Sequence, residues 1–327
     1  MQTIRWGIVG PGDIAHRFAQ ACKNTPGASL EAVASRSAER AEAFGDEFGV
    51  PHRFSSYETM ANFYDIDAAY IATPHGAHAE NAILFLNHKK AVLSEKPIAL
   101  NLRQLDEMIA CAEKNGVFLM EAMWARLVPG TLKALELVNS GVIGKVRGVQ
   151  GSFGYSMDED EMDHHVFDRN LGGGSVLDVG CYCLSFASWY ISGAPAEIQA
   201  VADVGRTGVD EHCCYNLRYD GGEIAQLSSA IMVSKPNYGY ILGTKGHIKC
   251  QRFYAPEHLE VRADGQEPLF IECPYYGNGF EEQITEASRC IREGKTQSDL
   301  IPHAQSRLIA GQMDEIRRQV GVRYPVD

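Results

Sequence analysis

"TIRWGIVGPGDIA", residues 3–15, decides how the rest of the chain is read. Residues 3–10 are a β-rich apolar run that ends at a glycine. Residues 13–24 have helical spacing, with Ile14, Phe18, Ala21 and Cys22 on one side. Between them Gly10, Gly12 and Ala15 satisfy G-x-G-x-x-G/A, in the strand-to-helix setting that the motif needs. Gly10 permits a tight turn, Gly12 lets the backbone approach a pyrophosphate, and Ala15 lets the helix pack close to a sheet. The helix start at Asp13 and Ile14 offers N–H donors and a partial positive charge to a phosphate. A loop that binds nothing can carry glycines too, but position and context favour a dinucleotide.

Outward from that stretch, strand-like runs at 30–35, 67–74, 91–97 and 117–123 alternate with helical patterns at 37–49, 77–89 and 101–116. Ser37 and Asn101 are candidate N-caps, and Gly116 closes the third helix. Such alternation predicts a doubly wound parallel sheet. After about residue 124 the rhythm changes. A strand at 144–157 leads into a polar loop, and 172–193 reads as one helix. Several strand-like runs fill 196–273, and 279–320 is helical. The fold class expected is α/β: a Rossmann domain at 1–123, then an α+β domain at 124–327 with a large open, mainly antiparallel sheet. The final helix, 299–320, is expected near the first domain, and a cleft is expected between the two.

The 327 residues are enough for two such cores, with 45% hydrophobic and 22% charged residues. A formal net charge of −12 argues against general nucleic-acid binding. No apolar run reaches the ~18 residues of a membrane span. The N-terminus shows no leader pattern, so a cytoplasmic location is expected. Nine cysteines lack metal-ligand spacing and read as small buried thiols. His75 and His78 are three apart with no evident third ligand, so no metal is expected. An open sheet with helices on one face leaves the other face to be covered, which predicts a homodimer or homotetramer through that sheet.

The second strand ends Ser35-Arg36-Ser37, with Arg40 one turn on. A carboxylate there would bond the ribose of NAD; guanidinium and hydroxyl groups instead suit a 2′-phosphate, favouring NADP over NAD. Ligands of such sheets bind beyond the carboxyl ends of the strands. "ATPHGAH" (72–78), "SEKP" (94–97) and "MEAMWAR" (120–126) lie there. Thr73, Pro74, His75, His78, Glu95, Lys96, Trp124 and Arg126 are therefore candidate cofactor contacts. A cation at Lys96 can polarise a hydroxyl or carbonyl, or shift a neighbour's proton affinity. In "GGGSVLDVGCY" Asp178 and Tyr182 are four apart, which on an α-helix puts them on one face.

Together "GIVGPGDIA", "AAYIATPHGAHAENA", "VLSEKPIALN", "MEAMWAR" and "GGGSVLDVGCY" resemble the glucose–fructose oxidoreductase/inositol dehydrogenase (Gfo/Idh/MocA) family. "ILGTKGHI" (241–248) and the closing helix extend the resemblance over nearly the whole chain. Within the family the motifs look most like the dihydrodiol dehydrogenase and NADP-dependent D-xylose dehydrogenase group. Many members carry a histidine acid/base after D-x-G; this chain has Tyr182 in D-x-G-x-Y, as in that group. The resemblance implies a substrate that is a sugar, polyol or cyclic trans-diol, with Tyr182 as acid/base assisted by Lys96. It also implies that Asp178 orients the substrate, that Trp124 and Arg126 wall the nicotinamide end, and that the Lys96–Pro97 bond is cis. Where that group has R-x-F-D-P, this chain reads His165-Val166-Phe167-Asp168-Arg169, so His165 and Phe167 are expected to border the substrate. Two rival readings are a cofactor-sensing regulator without catalysis and a redox-assisted glycosidase. The first need not keep Lys96, Asp178 and Tyr182 together, and the second would yield no net NADPH.

Overall fold

The structure, a computed structural model, describes residues 2–158 and 161–327, so Glu159 and Asp160 of the polar loop lie outside it. The chain divides into two compact units, Met1–Trp124 with Tyr276–Arg307, and Ala125–Tyr275 with Leu308–Asp327.

The first unit opens with β1 (Ile4–Val9), α1 (Asp13–Asn24), β2 (Ala28–Ala34), α2 (Ala38–Phe48) and β3 (His52–Phe54). It continues with α3 (Tyr57–Ala61), β4 (Ala68–Ile71), α4 (His78–Asn87), β5 (Ala91–Ser94), α5 (Leu102–Asn115) and β6 (Leu119–Glu121). The six strands pair in the order β3-β2-β1-β4-β5-β6, all parallel. Every residue of β4 and β5 is buried, as expected of strands covered on both faces. The helices start and stop where the sequence marks them. Ser37 accepts from the Arg40 N–H, Asn101 accepts from the Gln104 N–H, and Gly116 closes α5 at φ +62. The strand order reverses beside β1, so the Gly10–Gly12 turn sits at the switch point. Two short elements, β3 and α3, carry no periodicity long enough to be seen in the sequence.

The second unit contains α6 (Pro129–Asn139), β7 (Val146–Gly154), α7 (Cys181–Tyr190), β8 (Glu197–Val204), β9 (Asp210–Arg218) and β10 (Ile224–Ala230). Next come β11 (Tyr238–Gly243), β12 (Gly246–Gln251), β13 (His258–Ala263) and β14 (Leu269–Glu272). Eight strands pair in the order β14-β13-β12-β11-β7-β10-β9-β8, antiparallel except for β7 with β10. One helix was unexpected: α6, which Pro129 starts from its first turn.

The 172–193 segment is not a single α-helix. Gly172 and Gly174 take φ +80 and +113, which no helix accommodates. A π-turn, Val176–Gly180, follows before α7 begins. The terminal helical run is likewise two helices, α8 (Glu281–Arg292) and α9 (His303–Val320). Gly294, at φ +69, and Pro302 separate them. α8 packs on α1 and groups with the first unit, although the sequence suggested only the final helix near it. Side-chain bonds fix that packing, Arg17 to the Asn278 carbonyl at 3.0 Å and Asn24 to Glu281 at 3.3 Å. The boundary between the units falls inside α9. No helix among the described residues is long and apolar enough to cross a membrane.

Candidate functional site

The glycine turn has the form that its sequence requires. Gly10 sits at φ +89, and a Cβ there would press within 3.1 Å of the Ala72 carbonyl and Thr73. A Cβ on Gly12 would meet nothing within 4 Å, so the space over its backbone is open. No side chain caps α1, whose first turn begins at Asp13, and Ala15 is fully buried. An open loop running into an uncapped helix start is the cradle that a pyrophosphate needs.

At the end of β2, Arg36 is exposed and hydrogen-bonds the Tyr57 phenol, while burial raises the pKa of that phenol. Arg40 reaches back to the Pro11 carbonyl at 3.1 Å. Two guanidinium groups thus stand beside the glycine turn with a phenol that sequence reasoning missed. Ser35 accepts from the Ser37 N–H at 3.2 Å. Ser37 caps α2 and donates to Glu39 at 2.7 Å, so both hydroxyls already have local bonds.

The strand ends beyond β4, β5 and β6 gather a second cluster. His75 is buried, with its ring 5.7 Å from that of His78. His78 is expected at the cofactor but is fully buried. Its ring nitrogens lie 2.8 Å from the Pro97 carbonyl and 2.7 Å from the Thr73 carbonyl. Burial pushes its pKa down to about 4, partly offset by the two carbonyls. Its role is to tie the loop after β4, where Thr73 and Pro74 lie, to the loop after β5. With the ring buried and both nitrogens facing backbone carbonyls, the side chain offers no free polar atom for the cofactor contact expected of it.

Lys96 is half-buried, and its bond to Pro97 is cis. Two buried carboxyls flank it electrostatically. Glu95 bonds the Tyr70 hydroxyl and accepts from the Lys96 N–H at 3.2 Å. Glu121 accepts from the Ile98 N–H at 3.2 Å and from the Ser306 hydroxyl at 2.6 Å. Burial raises the pKa of both carboxyls, and the Lys96 charge opposes the rise in each. Arg17, unnoticed in the sequence, also acts on Glu95. Its guanidinium lies 4.4 Å from the Phe280 ring centre and 5.2 Å from that of Trp124. Trp124 therefore belongs to an aromatic–cation cluster with α1. Arg126, two residues on, falls in the other unit. Burial lowers its pKa, and its Nη1 has no hydrogen-bond partner.

In the second unit the glycine-rich turn presents Asp178 and Tyr182. Asp178 is half-buried and accepts from the Tyr155 hydroxyl at 2.5 Å, a bond between residues 23 apart in the chain. Tyr182 is 6% exposed, with ring centres of Phe153 at 5.5 Å and Tyr254 at 6.0 Å. Tyr155, just after β7, belongs to no motif that would single it out in the sequence. His165 is exposed, and its ring centre lies 4.1 Å from that of His164, the two planes tilted by 44°. Phe167, expected at the substrate, is instead 1% exposed, in a core cluster with Val166 and Ile231. Its place in a one-turn helix turns its side chain inward while His165 faces out. None of the nine cysteines forms a disulfide, and seven are buried.

Comparison with known proteins agrees with this fold. An oxidoreductase family model, described as an NAD-binding Rossmann fold of the Gfo/Idh/MocA type, matches residues 4–123. The model of that family's C-terminal domain matches 131–249. Trans-1,2-dihydrobenzene-1,2-diol dehydrogenase of Mus musculus is 36% identical over 99% of this chain and 99% of its own. The Homo sapiens protein of that name is 32% identical over the same shares. A 3-ketoreductase from Actinomadura kijaniata, solved with NADP and TDP-benzene, matches with a TM-score of 0.89 at 25% identity, over 98% of each chain.

Proposed function

Since this chain belongs to the Gfo/Idh/MocA family of oxidoreductases and is a dehydrogenase of CH–OH groups, we propose that it is an NADP-dependent enzyme acting on a secondary hydroxyl or hemiacetal carbon of a sugar, polyol or cyclic trans-diol. The observation that carries this reading is the turn bearing Asp178 and Tyr182, with the Asp178 carboxylate held by the Tyr155 hydroxyl. When bound, the nicotinamide supplies the hydride chemistry. The protein must then move one proton and hold the substrate carbon still. Tyr182 takes the hydroxyl proton in oxidation and returns it in reduction. Lys96 supplies the positive charge that favours the deprotonated oxygen. Asp178 accepts from a neighbouring substrate hydroxyl, and its bond to Tyr155 fixes the direction in which it accepts. Tyr155→Phe is expected to raise the substrate KM by about tenfold, the size of a lost bond to a charged group. Steady-state kinetics with an unchanged NADPH affinity would separate this from a cofactor effect.

The choice of NADP rests on Arg36 and Arg40 beside the open glycine turn, with Tyr57 orienting Arg36. NADP in the Actinomadura relative is consistent with it. Arg36→Ala is expected to raise the KM for NADP by roughly 10- to 100-fold, the range of one charge-assisted phosphate bond. The KM for NAD should hardly change, and parallel rises would contradict a 2′-phosphate contact. Assembly through the open sheet is part of the same reading. That sheet exposes Val201, Ile224, Leu269 and Phe270. Light scattering should give a dimer or tetramer.

A panel of aldoses, polyols and trans-diols, followed at the reduced-nicotinamide absorbance band with NADP and with NAD, tests the proposal directly. Net NADPH from at least one class is expected. Cofactor binding with no turnover of any of them would leave a sensor rather than an enzyme.

A further inference from the structure

Asp210, at the start of β9, is fully buried, and one of its oxygens does two jobs. Oδ2 accepts from the Val176 N–H at 2.7 Å and from the Ser175 hydroxyl at 2.7 Å. Val176 is the first residue of the π-turn that carries Asp178 and feeds α7 with Tyr182. The Ser175 hydroxyl lies 2.9 Å from that of Ser229 on β10. At the other end of the turn, the Tyr215 hydroxyl donates to the Gly180 carbonyl at 3.4 Å. Glycine is needed at 174, where a Cβ would come within 2.5 Å of the other Asp210 oxygen. The Tyr324 hydroxyl donates to the Gly173 carbonyl at 2.5 Å, closing the network from the C-terminal segment.

A helix start needs an acceptor, but it does not need a buried carboxylate. Asn or Ser would accept the same N–H without the cost of burying a charge. That cost is visible here, because Oδ1 of Asp210 is buried and takes no hydrogen bond from another residue. A costly group kept at the base of a reactive turn is the signature of function taken at the expense of stability. We propose that Asp210 is the positioning residue of the Asp178–Tyr182 turn, acting through Val176 and Ser175 to set where the two side chains stand. The inference rests on the catalytic reading of Tyr182 given above.

The groups that face Asp210 are Ser175 and Val176 from the turn, Arg317 from α9, Tyr324 from the C-terminal segment and Cys213 on its own strand. Burial raises its pKa to about 6, and its hydrogen bonds and Arg317 hold back a larger rise. Two trends of opposite sign follow. A carboxylate is the stronger acceptor, so activity should rise as pH rises through about 6. A folded-state pKa above the unfolded value makes stability fall over the same window, because the folded form binds its proton more tightly.

The test compares wild type, Asp210→Ala, Asp210→Asn, Tyr182→Phe and the Asp210→Ala/Tyr182→Phe double variant. Asp210→Ala is expected to lower kcat roughly 10- to 100-fold, as a displaced reacting group does, with NADPH affinity unchanged. Asp210→Asn, whose neutral amide oxygen can accept both bonds but more weakly, should exceed Asp210→Ala and match the lower rate that wild type shows below about pH 6. It should also abolish both the activity limb near pH 6 and the fall in Tm across it. Should Asp210→Ala not fold, Ser175→Ala removes one of the two bonds and should give a smaller loss of the same kind. In the double variant the loss should not exceed that of Tyr182→Phe alone. A full additional loss, beside a collapsed Tyr182→Phe, overturns the positioning role while leaving the site reading intact. A wild-type rate in Tyr182→Phe overturns the site reading, and the inference with it.

Discussion

Tyr182→Phe is expected to lower kcat by roughly 10²- to 10⁴-fold, the contribution of a positioned proton-transfer group. The substitution is a clean one. Tyr182 is 6% exposed, and its ring packs near Phe153 and Tyr254. Phenylalanine keeps those ring contacts and removes only the hydroxyl, so the variant should fold, and its Tm reports separately on any stability that the hydroxyl contributes. Substrate should still bind, because Asp178 and its bond to Tyr155 are untouched. The loss therefore falls on kcat, with KM and NADPH affinity near their wild-type values. Rapid-quench or absorbance kinetics at saturating cofactor measure it. A wild-type rate would pass the proton-transfer role to another group, and Tyr155 would become the first to examine. The second domain of many relatives was expected to use histidine at this point, so Tyr182→His is a useful companion. Partial activity with a shifted pH optimum is its expected result.

The sequence marks some of these residues and not others, for physical reasons. A parallel sheet buried on both faces writes itself as apolar runs separated by helical periods, so β1, β2, β4 and β5 are legible. Gly10 is legible because one backbone angle excludes every other residue. Caps such as Ser37 and Asn101 are legible because the bond they make lies within three residues. What failed were contacts set by distant parts of the chain. Spacing assigns Asp178 and Tyr182 to one face of an α-helix, but the turn is π, and its start is fixed by Asp210, 34 residues beyond Val176. No local pattern could announce that bond or the one from Tyr155. The grouping of α8 with the first unit depends on Arg17 and Asn278, 261 residues apart. His78 and Phe167 show the opposite error. A residue type suited to ligands was read at a suitable place, but burial had already committed His78 to two carbonyls and Phe167 to the core.

Lys96→Met should separate catalysis from cofactor binding more sharply than any other change in the first unit. Methionine keeps much of the apolar stem and deletes the charge. Loss of the positive charge from proton transfer is expected to cost roughly 10²-fold or more in kcat. NADPH affinity should stay nearly constant if, as proposed, the dinucleotide is held by the Gly10–Gly12 turn and the Arg36–Arg40 corner. Local electrostatics sharpen the expectation. Lys96 is the cation that favours the anionic forms of the buried Glu95 and Glu121. Without it, desolvation is opposed only by their hydrogen bonds and, for Glu95, by Arg17, and their pKa values rise further. The variant should then keep protons on these carboxyls to a higher pH than wild type does. Because folded-state carboxyl pKa values above the unfolded value disfavour folding at high pH, its Tm should fall relative to wild type as pH rises through those raised pKa values. The activity profile should change too. With the ammonium gone, the basic group of the reaction loses its electrostatic support, and the rising limb of kcat against pH should move upward. Equal losses in turnover and NADPH affinity would instead make Lys96 an anchor for the cofactor. A Lys96→Arg variant discriminates again, since it restores charge but not shape. Recovery of the pH limb with incomplete recovery of kcat is the outcome expected of a cation whose charge and placement both matter.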